Sequence, residues 1–154
     1  MVYRNKTYVA FDGDRDIIAY RLMTAWKQSD NTDFNFYDAH DLNDARDSSS
    51  EESIKAQLRV RMANSKLFVL LVGENTAHLT KFVKWEIQSA IRRQLPIVVV
   101  MLEPTNPIPS YLNDYLYIKV PFKAKQVERA MTNWPDSFAK HLQDGHKGGY
   151  VYNN

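Results

Sequence analysis

Hydrophobic positions change their spacing repeatedly along the chain, and the changes mark alternating strands and helices. Thr7–Phe11 (TYVAF) is short, β-branched and aromatic, and predicts a first strand. After the polar turn Asp12-Gly13-Asp14-Arg15-Asp16, apolar Ile18, Leu22, Ala25 and Trp26 recur at helical spacing. They predict a helix over about 16–28, with Asp16 as its N-cap. Phe34–Tyr37 reads as a second strand and Asp38–Ser50 as a polar loop. Ser49 and Glu52 have capping-box spacing ahead of Ile54, Leu58 and Met62, the stripe of a second helix ending near Asn64. Leu67–Val72 (LFVLLV) is continuously apolar, as buried parallel strands are when helices cover both faces. Gly73–Thr80 is a turn, and Val83, Ile87, Ala90 and Ile91 mark a third helix. Pro96–Met101 is a fourth strand, Glu103–Ser110 a proline-rich loop, and Tyr115–Val120 a fifth strand. Val127, Ala130 and Met131 start a closing helix that Pro135 breaks or restarts, with Phe138 and Leu142 extending its stripe. The glycine-containing segment from Asp144 reads as a loose tail.

Strands alternating with helices imply an α/β fold with a parallel sheet. Five strands point to a flavodoxin-like three-layer sandwich with strand order 2-1-3-4-5. The 154 residues suit one domain over 1–154, with an ordered core of about 6–142 and a flexible tail over 143–154.

Composition narrows the function classes. Apolar residues make up 44% of the chain, enough for a core and against disorder. The formal charge is +2 with the signs well mixed, so no basic face marks a nucleic-acid binder. No cysteine is present, which removes disulfides, thiolate metal sites and cysteine nucleophiles. No apolar run approaches the roughly 20 residues of a membrane span, and no signal peptide opens the chain. The expectation is a cytoplasmic protein without a membrane partner, a metal or a bound cofactor.

In a sheet of this order, ligands bind beyond the carboxyl ends of the strands, between the first and third. That places Asp12–Asp16, the loop from Asp38, and Gly73–Thr80 around any site. The chain has neither the G-x-G-x-x-G fingerprint nor a P-loop. Asp12, Asp14 and Asp16 would repel the phosphate of a flavin mononucleotide. A phospho-acceptor receiver needs an Asp at the end of its third strand, where this chain reads Val72-Gly73-Glu74.

On a wheel of about 100° per residue, Glu86 falls about 60° from Val83, at the border of the third helix's apolar stripe. Phe82 lies one turn earlier on the same edge, and Trp85 nearly opposite. Periodicity alone reads Glu86 as a solvated border residue.

The run Leu70-Leu71-Val72-Gly73-Glu74-Asn75-Thr76, followed by Phe82-Val83-Lys84-Trp85-Glu86-Ile87, resembles the bacterial TIR-like (Toll/interleukin-1 receptor-like) family of the Thoeris anti-phage system. Tyr8-Val9-Ala10-Phe11-Asp12 with Asp16, and Phe34-Asn35-Phe36-Tyr37-Asp38, resemble its first two strands. The likeness covers roughly 7–101, with Phe82 where relatives often carry Trp. It implies a flavodoxin-like domain that cleaves the nicotinamide–ribose bond of NAD+, giving ADP-ribose or a cyclic ADP-ribose-type signal to a separate effector. It places Glu86 at the family's catalytic glutamate, with NAD+ as substrate rather than cofactor and with TIR-type self-association.

Around Glu86 the resemblance leaves several residues with two readings each. Phe11 and Phe82 flank the substrate, or Phe11 is plain core. Asp12 and Asp14 bond ribose hydroxyls, or end the strand and cap the helix. Asp38 and His40 close over substrate, or stay at the surface like His78. Asn75 and Thr76 touch ligand, or only shape the turn. Arg15, Arg46 or the third helix's N-terminus would have to offset the acidic loop where a pyrophosphate binds. Two other functions fit the pattern: a non-catalytic TIR-type interaction module, and a nucleoside deoxyribosyltransferase-like enzyme with a Glu nucleophile.

Overall fold

The computed structural model describes residues 6–26, 37–38 and 50–152, with only the backbone at 6, 37 and 38. The described strands are β1 (Lys6–Ala10), β2 (Tyr37–Asp38), β3 (Leu67–Val72), β4 (Ile97–Met101), β5 (Leu116–Pro121) and β6 (Gly148–Tyr150). They form one sheet in the order β2-β1-β3-β4-β5-β6, and every neighbouring pair is parallel. The helices are α1 (Ile17–Trp26), α2 (Glu51–Ala63), α3 (Phe82–Arg92) and α4 (Ala124–Gln143).

The two-residue period of the strands divides the core. Val9, Phe11, Val69, Leu71, Val98 and Val100 pack with Tyr20 and Met23 of α1 and with Val127, Met131 and Trp134 of α4. Tyr8, Ala10, Phe68, Leu70, Val72 and Val99 face the other way, against Ile54 and Leu58 of α2 and Val83 and Ile87 of α3. Helices on both faces explain why β3 and β4 are apolar at every position and wholly buried. Among the described residues no helix is long and apolar enough to cross a membrane.

Several expectations need correction. The segment after Asp144 is not simply a loose tail: residues 148–150 form a sixth strand on β5, in register from Leu116↔Gly148 to Ile118↔Tyr150. Gly149 makes that approach possible, because a Cβ there would lie 2.7 Å from the Tyr117 ring. The buried side of α1 is also different. Ile18 and Leu22 are 75% and 48% exposed, while Tyr20 and Met23 are buried. Trp26 of the expected stripe does pack, on Phe122 at 4.8 Å, while the stacking of Phe11 on Tyr20 at 4.6 Å turns Tyr20 and Met23 inward in place of Ile18 and Leu22.

Pro135 neither breaks nor restarts α4, which runs through it. An internal proline costs about 3 kcal/mol. Burial of Val127, Ala130, Met131, Trp134 and Phe138 along one face offsets that loss. The N-cap of α2 is Ser50, whose hydroxyl accepts from the Ser53 N–H at 3.2 Å. Asp38, expected to begin a loop, is the last described residue of β2 and pairs with Thr7. Gln28, residues 34–36 of the second strand, His40, Arg46 and Ser49 lie outside the described residues.

Candidate functional site

Glu86 lies deeper than its place on the wheel suggests. Val83, Ile87 and Ala90 dock α3 on the sheet, and Glu86 turns inward with them, 0% exposed. Its Oε2 accepts a hydrogen bond from the Tyr8 hydroxyl, a contact from the middle of β1 between residues 78 apart in sequence. Tyr8 is itself fully buried, and its ring stacks on Phe68 at 5.6 Å with the planes 11° apart. The donor is therefore held by the sheet and not by a mobile loop. A buried carboxylate requires such a donor, because burying an ionised group without hydrogen bonds is costly.

Sequence reasoning did not single out Tyr8. Its alternation with Ala10 puts both on one face of β1, but nothing in the local pattern says which helix that face meets. Tyr8→Phe keeps the stacked ring and removes the donor to Glu86. It is expected to cost about 1–3 kcal/mol, read as a fall of several degrees in Tm by thermal melting. An unchanged Tm would show that the hydroxyl contributes nothing.

The aromatic residues near Glu86 divide between two settings. Phe82, at the first turn of α3, is half-buried against the same core, with Lys81 Nζ 5.7 Å from its ring centre. Trp85 is turned toward α2, where Lys55 and Arg59 lie 5.8 and 5.7 Å from its ring. These α2 cations approach Trp85 on one side of α3, and Phe82 packs on another, against the core.

The turn between β3 and α3 is built from within. Thr76 is fully buried, and its hydroxyl accepts from the Gly73 N–H at 2.9 Å and lies 3.5 Å from the Leu71 carbonyl. These contacts hold the Thr76 side chain inside the turn. The loop after β4 ties down the same edge: the Leu102 N–H and Asn106 Nδ2 donate to the Val72 carbonyl at 3.0 and 2.9 Å. Tyr111 donates to the Leu79 carbonyl at 3.2 Å. Asn106 and Tyr111 drew no notice in the sequence, since their partners lie more than 30 residues away.

At the end of β1 the chain makes a tight turn, with the Asp16 N–H donating to the Asp12 carbonyl at 2.8 Å. The turn brings two carboxylates toward the end of β3. Asp12 is 4% exposed; its Oδ1 accepts from the Asp14 N–H at 3.1 Å. Asp16 packs so closely on Gly73 that a Cβ there would fall 2.2 Å from Oδ2. Burial, then the charges of Asp12 and Glu74, push the Asp16 carboxyl above its usual range, with Arg15 opposing.

The folded chain therefore holds the Asp16 proton more tightly than the unfolded chain does. The stability this confers is complete below pH 3.8 and is lost as pH rises through the folded-state value. At neutral pH, in chelator-treated buffer, Asp16→Asn is expected to raise Tm by about 2 °C, the small size reflecting solvent screening. The gain should vanish by about pH 3, and paired melts at the two pH values measure it.

The remaining candidates scatter. Phe11 lies in the α1/α4 core, stacked on Tyr20, across the sheet from Glu86. Two positions of the same alternation part them: Tyr8 faces α3, and Phe11 faces α1. Asp14 and His78 are exposed, and the Asp38 side chain is outside the described atoms. Among the described residues, no three His, Cys, Asp or Glu side chains are arranged as a metal cage.

The model of the Thoeris protein ThsB TIR-like domain family matches residues 8–107. The matched span runs from Tyr8 through Glu86 to the loop that caps β3, so it contains both ends of the Tyr8–Glu86 contact and the acidic turn. It stops before β5, α4 and β6.

Proposed function

Because this chain belongs to the TIR-like domain family of the Thoeris protein ThsB, we propose that it cleaves the nicotinamide–ribose bond of NAD+ within a bacterial anti-phage defence response. The product is ADP-ribose or a cyclic ADP-ribose-type signal. The observation that carries this reading is the buried Glu86 carboxylate, fixed on α3 by a hydroxyl from strand β1.

The chemistry needs little more. The C1′–N bond breaks and its electron pair leaves with nicotinamide, which departs neutral from a cationic pyridinium, so no general acid is required. The ribosyl carbon becomes oxocarbenium-like. A fixed carboxylate can stabilise that positive charge and hold a ribose hydroxyl. Water then completes hydrolysis by giving its proton to solvent, or an adenine nitrogen closes the ring. Phe82 supplies a half-exposed aromatic surface one turn before Glu86. Phe11 packs in the opposite core and has no part in this reading.

The reading carries a structural requirement. Glu86 has no exposed surface, so substrate must uncover it on binding. The same burial favours a second reading, a non-catalytic TIR-type interaction module in which Tyr8–Glu86 is an internal brace. Incubating purified protein with NAD+ and following nicotinamide release by chromatography separates the two. Sustained release supports the enzyme. Absence of release at high protein concentration, where TIR-type self-association would be complete, supports the module. Nucleobase exchange on deoxynucleosides in place of nicotinamide release would favour the transferase chemistry.

A further inference from the structure

Asp12 and Asp16 carry more acceptor capacity than the fold uses. Oδ2 of each is buried and finds no hydrogen-bond partner among the described residues. For Asp12 this is a side chain 96% removed from solvent, and neither the helix start nor the strand end employs the atom. Buried polar atoms are normally satisfied, so an orphaned pair on adjacent acids calls for a ligand. The glycine at position 73 makes room for one of the two carboxylates at the end of β3. Glu74 adds a third negative charge nearby, and Arg15 is the opposing cation in the local field.

A group that fits must bring positive charge and accept oxygen ligands. Hydroxyl donors would satisfy lone pairs but leave the like-charge repulsion intact. A soft transition metal would want sulfur or imidazole, and the chain has no cysteine and no histidine in the turn. Calcium asks for six to eight oxygens, and no three-acid cage exists among the described residues. Magnesium binds through one or two carboxylates and fills its other positions with water or phosphate oxygens.

We propose that Asp12 and Asp16 form a Mg2+-type divalent-cation site at the carboxyl end of β1, with Gly73 as its floor. Such an ion removes the repulsion between the two acids. If the NAD+ reading above holds, it also converts the acidic loop from a surface that repels a pyrophosphate into one that attracts it. The site itself does not depend on that reading.

The test is binding of Mn2+, as a paramagnetic stand-in for Mg2+, to the full chain without any nucleotide. One saturable site is expected, displaced by Mg2+. Asp12→Asn and Asp16→Asn should each weaken it at least tenfold, while Glu86→Gln binds like the wild type. Absence of NAD+ cleavage by the wild-type chain, with its Mn2+ binding intact, therefore sinks the enzymatic reading alone. Lack of saturation by about 10 mM, or affinity untouched by both Asn variants, overturns the site. Should a variant fail to fold, Mn2+ broadening of wild-type amide signals decides. Broadening centred on residues 12–16 and Gly73 supports the site, and broadening elsewhere refutes it.

Discussion

Glu86→Gln is expected to lower nicotinamide release from NAD+ by about 100- to 1,000-fold, the range seen when one preorganised electrostatic group is lost. The substitution is chosen for what it preserves. Gln is close to isosteric with Glu, and its Oε1 can still accept from the Tyr8 hydroxyl that Glu86 engages. The buried volume between β1 and α3 stays filled, so Tm should shift by little. Only the negative charge is removed, and that charge is what an oxocarbenium-like centre requires. A large fall in rate at unchanged Tm assigns the effect to electrostatics. Equal rates for the two proteins would end the catalytic role of Glu86 and leave the Tyr8 contact as a brace. Glu86→Ala would be a poorer test, because a cavity at a fully buried position lowers stability and activity together.

The parts of this architecture that were legible in sequence share one property: the burial pattern is local. β3 and β4 are apolar at every position because both faces are covered, and an unbroken LFVLLV announces that directly. α3 shows its stripe because only one side meets the sheet. The failures arise where a distant partner decides. α1 carries two apolar stripes, and the stacking of Tyr20 on Phe11 chooses between them. β6 reads GGY, which has no alternation to recognise, and it exists because glycine lets the backbone lie against Tyr117. The candidate site follows the same division. Its position at the ends of β1 and β3 came from topology, and the importance of Glu86 came from family resemblance. The depth of Glu86 and its donor Tyr8 depend on which helix packs over which strand face, and a helical wheel of α3 alone cannot contain that. Asp16 was visible as a turn acid and N-cap, but its close approach to Gly73 depends on how β1 and β3 pair.

The largest loss of stability is expected outside the family-matched span, at Trp134. This residue is 2% exposed and sits midway along α4, immediately before Pro135. Phe138 meets it edge-on at 6.3 Å, and Tyr150 of β6 lies 6.0 Å away, so one indole joins the last helix to the last strand. Trp134→Ala should cost about 3–5 kcal/mol from lost burial and the cavity left behind. For a chain of this size that is a fall in Tm of about 10 °C or more. Trp134→Phe separates volume from polarity. The indole Nε1 is buried and has no hydrogen-bond partner among the described residues, so replacing it removes an unsatisfied donor along with part of the packing. The two terms oppose, and the Phe variant should lose less than half of what the Ala variant loses. Thermal melts of the pair measure the difference. Equal losses would mean that the Nε1 donor is satisfied in solution and that the ring is held by polarity as well as by shape. A much smaller loss for Phe would establish that an aromatic ring at position 134 carries most of the packing between α4 and β6, since the ring is the element the two variants do not share.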